Sequence, residues 1–328
     1  MKKSIKKELI ANFTEVILND GSISHANACD LIDIQGADLV DLFAASNRIK
    51  DHFQGNRVDI CSIVNAKSGA CSEDCRFCAQ SSHHTTDAPV YPLIDISRME
   101  EAAFTAKKNG AKRFCIVTSG RGIDNDADLH AIAQGIERVQ AVGLSPCATL
   151  GTLTRDQLSC LKDAGLKRYH HNIETSREFF PEICSTHTFD ERTELLHEGR
   201  SIGLSLCSGG ILGMGETMKD RISMAFSLKE LDVDSVPINF LMPIMGTPME
   251  TIDRIQPLEA LHAIALFRFI LPTKEIRVCG GRGTALGRLH PLIFMAGADG
   301  FMIGNYLTRT GLDPQEDLAM LADLGLRI

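Results

Sequence analysis

No apolar run in this 328-residue chain is long enough to cross a bilayer, so no membrane association is expected. No block of like charge follows the short lysine-rich start, and the net charge is −8. That balance argues against a nucleic-acid phosphate grip and for a small-molecule partner. The apolar stretch after the first lysines is interrupted by Asn12, Thr14 and Glu15, which makes a poor signal-peptide core. The expected location is the cytoplasm. There is no internal repeat, no low-complexity tract and no linker that would split the main body. What is present is an ordinary globular composition, 44% hydrophobic and 23% charged, able to bury a sizeable core.

Cysteine is not scarce. Eleven is many for a reduced compartment, but the count is odd and the spacings irregular. Metal ligation accounts for that pattern better than a disulfide framework does. Three of the eleven sit close together in Cys71-Ser72-Glu73-Asp74-Cys75-Arg76-Phe77-Cys78, a C-x3-C-x2-C run. Structural zinc takes four protein ligands, and an ordinary cubane iron–sulfur cluster takes four cysteines. Three leave one iron free to hold a substrate. The run resembles the signature of the radical S-adenosylmethionine (SAM) superfamily, in which the open iron chelates the amino and carboxylate groups of SAM. Phe77 before the last cysteine is also usual there. The other reading is a closed zinc site completed by His83 or His84.

From about residue 59, short apolar runs alternate with longer helical patterns. The spacing predicts eight strands, at 58–65, 113–118, 145–151, 168–174, 203–209, 235–241, 275–280 and 300–304. Amphipathic stretches between them end in Gly110, Gly143, Gly165 and Gly203, as helices do at their C-terminal caps. This is the pattern of an α/β protein, a closed (β/α)8 TIM-type barrel. An open doubly wound sheet is the runner-up, but no G-x-G-x-x-G follows the first strand. Gly280-Gly281-Arg282-Gly283 reads as a tight turn rather than a phosphate loop. Three helical patterns before residue 53 predict an N-terminal helical cap over 1–52, with the barrel over 53–328.

Active sites of such barrels lie at the C-terminal ends of the strands, where the triplet falls. Cys115, Cys147, Cys207 and Cys279 lie on the second, third, fifth and seventh strands. A cysteine in a strand is usually a small hydrophobe, and for each alone that account is as good as a functional one. Four on separate strands reach a common axis if they face inward. Side chains alternate along a strand, so Arg277 and Cys279 share a face, as do His170, Asn172 and Glu174. A buried polar triplet at period two needs partners, so that face reads as ligand-binding. Asn239 is a further polar residue late in a strand.

Several longer runs occur in a fixed order. They are Gly69-Ala70-Cys71-Ser72-Glu73-Asp74-Cys75 with Cys78-Ala79-Gln80, then Phe114-Cys115, then Cys147-Ala148-Thr149-Leu150-Gly151. Tyr169-His170-His171-Asn172-Ile173-Glu174-Thr175, Cys207-Ser208-Gly209-Gly210-Ile211, Val236-Pro237-Ile238-Asn239 and Ile276-Arg277-Val278-Cys279-Gly280-Gly281-Arg282 follow. Over essentially its whole length the chain resembles the biotin synthase family. The resemblance implies a homodimeric enzyme that inserts sulfur into dethiobiotin to give biotin, fed by a reductant such as flavodoxin or ferredoxin. It implies a [4Fe-4S] cluster on Cys71, Cys75 and Cys78 that cleaves SAM to a 5′-deoxyadenosyl radical. It further implies that Cys115, Cys147, Cys207 and Arg277 hold a sulfur-donating [2Fe-2S] centre. Asn172 and Glu174 match contacts to the SAM ribose and Arg192 a partner of its carboxylate. His170 and Asn239 match substrate-binding positions.

The chain departs from the family pattern in places. Glu174 stands where many members have Asp, and His170 where some have Asn. Cys279 stands where better-known members have Ser. Because it shares a face with Arg277, Cys279 is a second candidate ligand, giving a four-cysteine set suited to a two-iron or four-iron centre. Replacement of a serine by a small buried residue is the equal alternative. Cys29, Cys61, Cys160 and Cys184 match no role and are taken as structural. Competing functions are another radical-SAM enzyme, such as a hydrogenase-cofactor maturase, and a non-catalytic iron–sulfur scaffold.

Overall fold

The structure, a computed structural model, describes residues 5–328. Nine parallel strand segments make one sheet. They are β1 (Asp59–Lys67), β2 (Arg113–Thr118), β3 (Ser145–Thr149), β4 (Arg168–His170), β5 (Ser205–Cys207), β6 (Gly210–Leu212), β7 (Ser235–Phe240), β8 (Glu275–Val278) and β9 (Gly300–Met302). Their order is β5-β4-β3-β2-β1-β9-β8-β7-β6, and a pairing of Cys207 with Ser235 joins β5 to β7 and closes the barrel.

All eight expected strands are present, the fifth as β5 alone, and an unexpected ninth segment, β6, follows beyond its expected end at residue 209. β5 and β6 pair with successive parts of β7, and the break falls at Ser208 and Gly209. The backbones come too close there for a side chain. A Cβ on Gly209 would lie 2.0 Å from the Pro237 carbonyl oxygen, and one on Gly210 2.1 Å from that of Glu174. The fourth strand is also shorter than expected, ending at His170.

The intervening helices are α4 (Ile96–Lys108), α5 (Asp126–Val142), α6 (Arg155–Asp163), α7 (Phe189–Ser201), α8 (Met218–Glu230) and α9 (Pro257–Ile270). Thr154, Thr188 and Thr217 start α6, α7 and α8 with reciprocal capping boxes to Gln157, Glu191 and Asp220. Gly143 ends α5 in the left-handed region, with φ of 89°. The sequence also carries α10 (Arg282–Leu286) and α11 (Pro314–Asp323), which its periodicity did not announce. A buried ion pair between Arg282 and Asp317 (2.7 and 2.6 Å) ties the two together.

Ahead of the barrel lie α1 (Ile5–Leu18), α2 (His25–Cys29) and α3 (Ala37–Gln54). They pack outside the barrel, α2 against α8 and α9 and α3 along α9, and none of their residues lines the central cavity. This placement explains α9. The sequence pattern over 257–271 predicts an amphipathic helix, yet α9 is buried continuously from Ala260 to Ile270. A helix covered by a strand layer on one side and another helix on the other must be apolar all round.

The polar exceptions on α9 are His262, whose Nε2 meets the Leu31 carbonyl (3.0 Å), and Arg268, which is fully buried. Its Nε donates to the Gly297 carbonyl (2.8 Å), and Nη1 donates to those of Pro272 (2.9 Å) and Lys274 (2.8 Å). Nη2 lies 3.3 Å from the Asp299 carboxylate. Arg268→Leu leaves that carboxylate without its cation, and breaking a buried pair from one side costs about 3–5 kcal/mol. Urea unfolding of the variant should register a loss of that size. A loss below about 1 kcal/mol would mean that water reaches the site.

Candidate active site

Closing the barrel turns the inward positions of its strands toward one cavity of about 320 Å³. Its wall carries Cys115, Cys147, Cys207, Arg277 and Cys279, together with His170, Asn172, Glu174 and Asn239. Strand register explains the grouping. Cys115 pairs with Cys147 across β2–β3, and His170 with Cys207 across β4–β5. The period-two face predicted for residues 170, 172 and 174 holds, although β4 ends before it. Beyond His170 the regular strand lapses until Glu174, which bridges to Gly210 and whose φ is +68°. Such a conformation is costly for a non-glycine residue.

A charged layer lies beneath the thiols, at the N-terminal ends of the strands. Arg168 on β4 forks onto the Glu275 carboxylate of β8 (2.6 and 3.2 Å). Arg277 donates through Nη2 to Glu275 (2.6 Å) and Asp59 (3.1 Å), and through Nε to the Ser235 hydroxyl (2.9 Å). Arg113 lies 3.4 Å from Asp59. Burial opposes ionisation of Glu275, but Arg168 and Arg277 outweigh it and hold its carboxyl at about 2. Sequence reading passed over Asp59, Arg113, Arg168 and Glu275. The signal was there: each stands two residues before a cavity residue on its strand, hence on the same face.

Cys61 was also passed over as structural. It lines the cavity, where its sulfur reaches the Phe301 carbonyl (3.8 Å) and clusters with Cys279 and Met302. The neighbouring Cys279 pulls the Cys61 thiol down against the effect of burial, while Cys279 is pushed up. Cys115 and Cys147 form a second thiol pair. Burial raises Cys115, and the neighbouring Cys115 thiol lowers Cys147. His170, though burial disfavours its charge, is raised to about 9 by the neighbouring Cys207.

The triplet loop sits at the rim, with Cys78 and Phe77 on the cavity wall. Backbone bonds from Cys71 N to Gln80 O (3.0 Å), Ser82 N to Cys71 O (2.7 Å) and Cys78 N to Cys75 O (2.9 Å) close the loop. Burial pushes the Cys78 thiol up to about 11. The histidines of the zinc alternative each turn one ring nitrogen to a carbonyl of the loop itself. Nε2 of His83 is bonded to the Ser72 carbonyl (3.0 Å) and that of His84 to the Cys75 carbonyl (3.1 Å). The loop itself offers three thiols, which fits a cluster with one open iron, and Cys184 and His187 lie close enough to Cys75 to share an ion with it. The thiol-rich nest deeper in the cavity fits a second iron–sulfur centre.

Cys184, also set aside in the sequence, has its sulfur 3.8 Å from that of Cys75. It belongs to a segment that clasps the triplet loop. Asp74 accepts from the backbone N–H groups of Ser185 (2.9 Å) and Thr186 (3.2 Å), and Arg76 N donates to Ile183 O (2.9 Å). Arg192, on α7, donates to the Asn172 carbonyl (2.8 Å) and lies 3.8 Å from Glu174. The Glu216 carboxylate caps the glycine-rich turn by accepting from Gly213 N (2.8 Å) and Met214 N (2.7 Å). Cys29 and Cys160 are half-buried on α2 and α6, and neither lines the cavity.

Residues 66–228 match the model of the radical SAM superfamily, and residues 237–327 that of the biotin and thiamin synthesis associated domain. The chain is 50% identical over 318 residues to a biotin synthase of Geotalea uraniireducens, covering 97% of each. It is 50% identical over 317 residues to one of Heliobacterium modesticaldum, covering 96% of this chain and 97% of the relative. The chain belongs to the biotin synthase family. Among solved structures, methylornithine synthase superposes with a TM-score of 0.83 at 18% identity over 96% of each chain. The [FeFe]-hydrogenase maturase HydG does so at 0.82 and 14%, over 98% of this chain and 75% of that one. Those two likenesses concern the fold. The radical SAM match and membership of the biotin synthase family imply a [4Fe-4S] cluster and SAM, and the triplet loop carries donors suited to that cluster. Among the described residues no helix is long and apolar enough to cross a membrane.

Hydrogen bonds to a charged acceptor contribute about 1.5–3 kcal/mol each. Asp74→Ala should therefore free the 185–186 amides, raising their hydrogen-exchange rates at least about tenfold. Exchange measured by mass spectrometry on the cluster-free chain checks this. Unchanged protection would mean that other contacts hold the clasp.

Proposed function

We propose that this enzyme is a sulfurtransferase that converts dethiobiotin to biotin, with SAM as co-substrate. The observation that carries the reading is that the three-cysteine loop reaches, through Cys78, the same cavity that Cys115, Cys147 and Cys207 line. The [4Fe-4S] cluster on Cys71, Cys75 and Cys78, when bound, supplies the electron that cleaves SAM to a 5′-deoxyadenosyl radical. A second centre held by Cys115, Cys147 and Cys207 would supply the sulfur. The chain does the rest. Arg192 receives the SAM carboxylate with a fork of donors, and Asn172 and Glu174 accept from the ribose hydroxyls. Phe77 walls the SAM site beside the loop. His170 and Asn239 orient the ureido ring of dethiobiotin. Asn239 has one N–H left for that purpose, since its oxygen accepts from Gly280 N (2.8 Å) and its amide donates to Gly210 O (3.2 Å). Apolar wall residues such as Ile63, Val117, Ile211 and Met302 exclude water that would quench a carbon radical.

The second centre takes its thiolates from Cys115, Cys147 and Cys207, with Arg277 or Cys279 as the fourth donor. Two arguments favour Cys279. A guanidinium is a donor of protons rather than electron pairs. That of Arg277 is already engaged by Ser235, Asp59 and Glu275. Cys61 stands beside Cys279 as a further thiol within the nest. The centre is then a [2Fe-2S] or a four-iron cluster. We further propose a cap over 1–52 and a catalytic barrel over 53–328. The working form is a cytoplasmic homodimer reduced by flavodoxin or ferredoxin.

Cys75→Ala should abolish 5′-deoxyadenosine formation, because a methyl group cannot ligate iron. Cys147→Ala should lower biotin yield and second-centre iron while SAM cleavage survives in part. Anaerobic reconstitution with SAM, dithionite and dethiobiotin, with mass detection of both products, checks the pair. Normal 5′-deoxyadenosine from Cys75→Ala sinks the radical-SAM reading, and wild-type biotin yield from Cys147→Ala sinks the sulfur-donor reading.

Cys279→Ser should change the Mössbauer spectrum of the second centre, and Arg277→Met should change it less. An unchanged spectrum in Cys279→Ser returns the fourth position to Arg277.

A further inference from the structure

His187 lies between the triplet loop and the residue expected to meet SAM. Its side chain is 9% exposed, and both ring nitrogens are engaged. Nε2 faces the Nε–H of Arg192 at 2.9 Å. Arginine only donates, so Nε2 is the acceptor and carries no proton. The ring hydrogen then sits on Nδ1, which bonds the Glu73 carboxylate and has the Cys184 sulfur beside it at 3.3 Å. Glu73 is itself held by the Thr186 hydroxyl (2.8 Å), with Arg121 3.6 Å from its other oxygen. The Phe180 ring meets the imidazole edge-on, 5.7 Å between centroids. Glu73 belongs to the triplet loop, between Cys71 and Cys75. A single chain of directed bonds thus runs from that loop through His187 to Arg192, and on from Arg192 Nη1 to the Asn172 carbonyl (2.8 Å).

We infer that His187 is a positioning residue, which fixes the Arg192 guanidinium in register with the triplet loop so that the carboxylate of SAM is received beside the cluster. Holding Nε by His187 and Nη1 by the Asn172 carbonyl sets the plane and reach of the guanidinium. Without His187, Arg192 keeps its charge but loses one of the two bonds that orient it, and binding must then supply the ordering. Loop and arginine would also no longer move as one body. The inference rests on the reading of Arg192 as the SAM carboxylate partner.

The test measures SAM affinity by equilibrium dialysis on reconstituted enzyme, and the electron paramagnetic resonance signal of the reduced first cluster with and without SAM. His187→Ala should weaken SAM binding about tenfold, the range seen when a supporting partner of a ligand is removed. It should also broaden the SAM-induced change in the signal while first-cluster iron and the KM for dethiobiotin stay unchanged. His187→Gln, which can accept from Arg192 and donate to Glu73, should recover affinity to within about threefold. SAM affinity unchanged in His187→Ala, with Arg192→Gln clearly weakened, overturns the role of His187 alone. Loss of first-cluster iron in both His187 variants also overturns it, since the residue would then be structural. SAM affinity unchanged in Arg192→Gln overturns the assignment beneath it.

Discussion

The Glu275 carboxylate ties the barrel together across its width. It sits on β8 and receives two bonds from Arg168 on β4 and a third from Arg277 on its own strand. Arg277 then passes to Asp59 on β1, and Asp59 to Arg113 on β2. A layer of three arginines and two carboxylates therefore floors the cavity, with one positive charge in excess. Isolated buried charges would be prohibitive, and each of these has a partner. The residual positive charge lies directly below a nest of thiols. It favours their ionised form, which is the form that binds iron.

Above that floor the chemistry is arranged by register. The same alternation that brings Arg113, Arg168 and Arg277 inward brings Cys115, His170 and Cys279 inward two residues later. The rim is built differently, from loops. Residues 182–187 clasp the triplet loop through Asp74 and Glu73, and the break between β5 and β6 lets Gly209 and Gly210 approach the backbone of Pro237 and Glu174. Radical chemistry needs both parts: a deep, rigid pocket that holds the acceptor carbon near its sulfur source, and a rim that orders SAM at one open iron.

Much of this was legible in the chain. The three-cysteine run, the eight strand positions and the capping glycines follow from local rules, because loop spacing, period-two alternation and left-handed helix caps are set by nearby residues. The departures share a cause. α9 was read as amphipathic because nothing local says that α3 will cover its outer face. The fifth strand was ended at residue 209 and β6 missed, because the close approach that separates β5 from β6 depends on Pro237 and Glu174, far away in the chain. Cys61 and Cys184 looked structural because each acquires meaning only from a distant partner, Cys279 in one case and Cys75 in the other.

The sequence by itself determined the ligand loop, the barrel class and which residues share a strand face. These are consequences of covalent spacing and backbone geometry, and they need no knowledge of the rest of the chain. Only the tertiary structure decided which faces meet. Closure of β5 onto β7 sets the ring of thiols, the cross-barrel fork of Arg168 onto Glu275 sets the charge beneath them, and the clasp of His187 onto Glu73 sets the path to Arg192. Each joins groups far apart in the chain, and no pattern within a window of neighbouring residues encodes such a contact. It exists because a closed sheet has one interior, and every inward side chain must find its partner there.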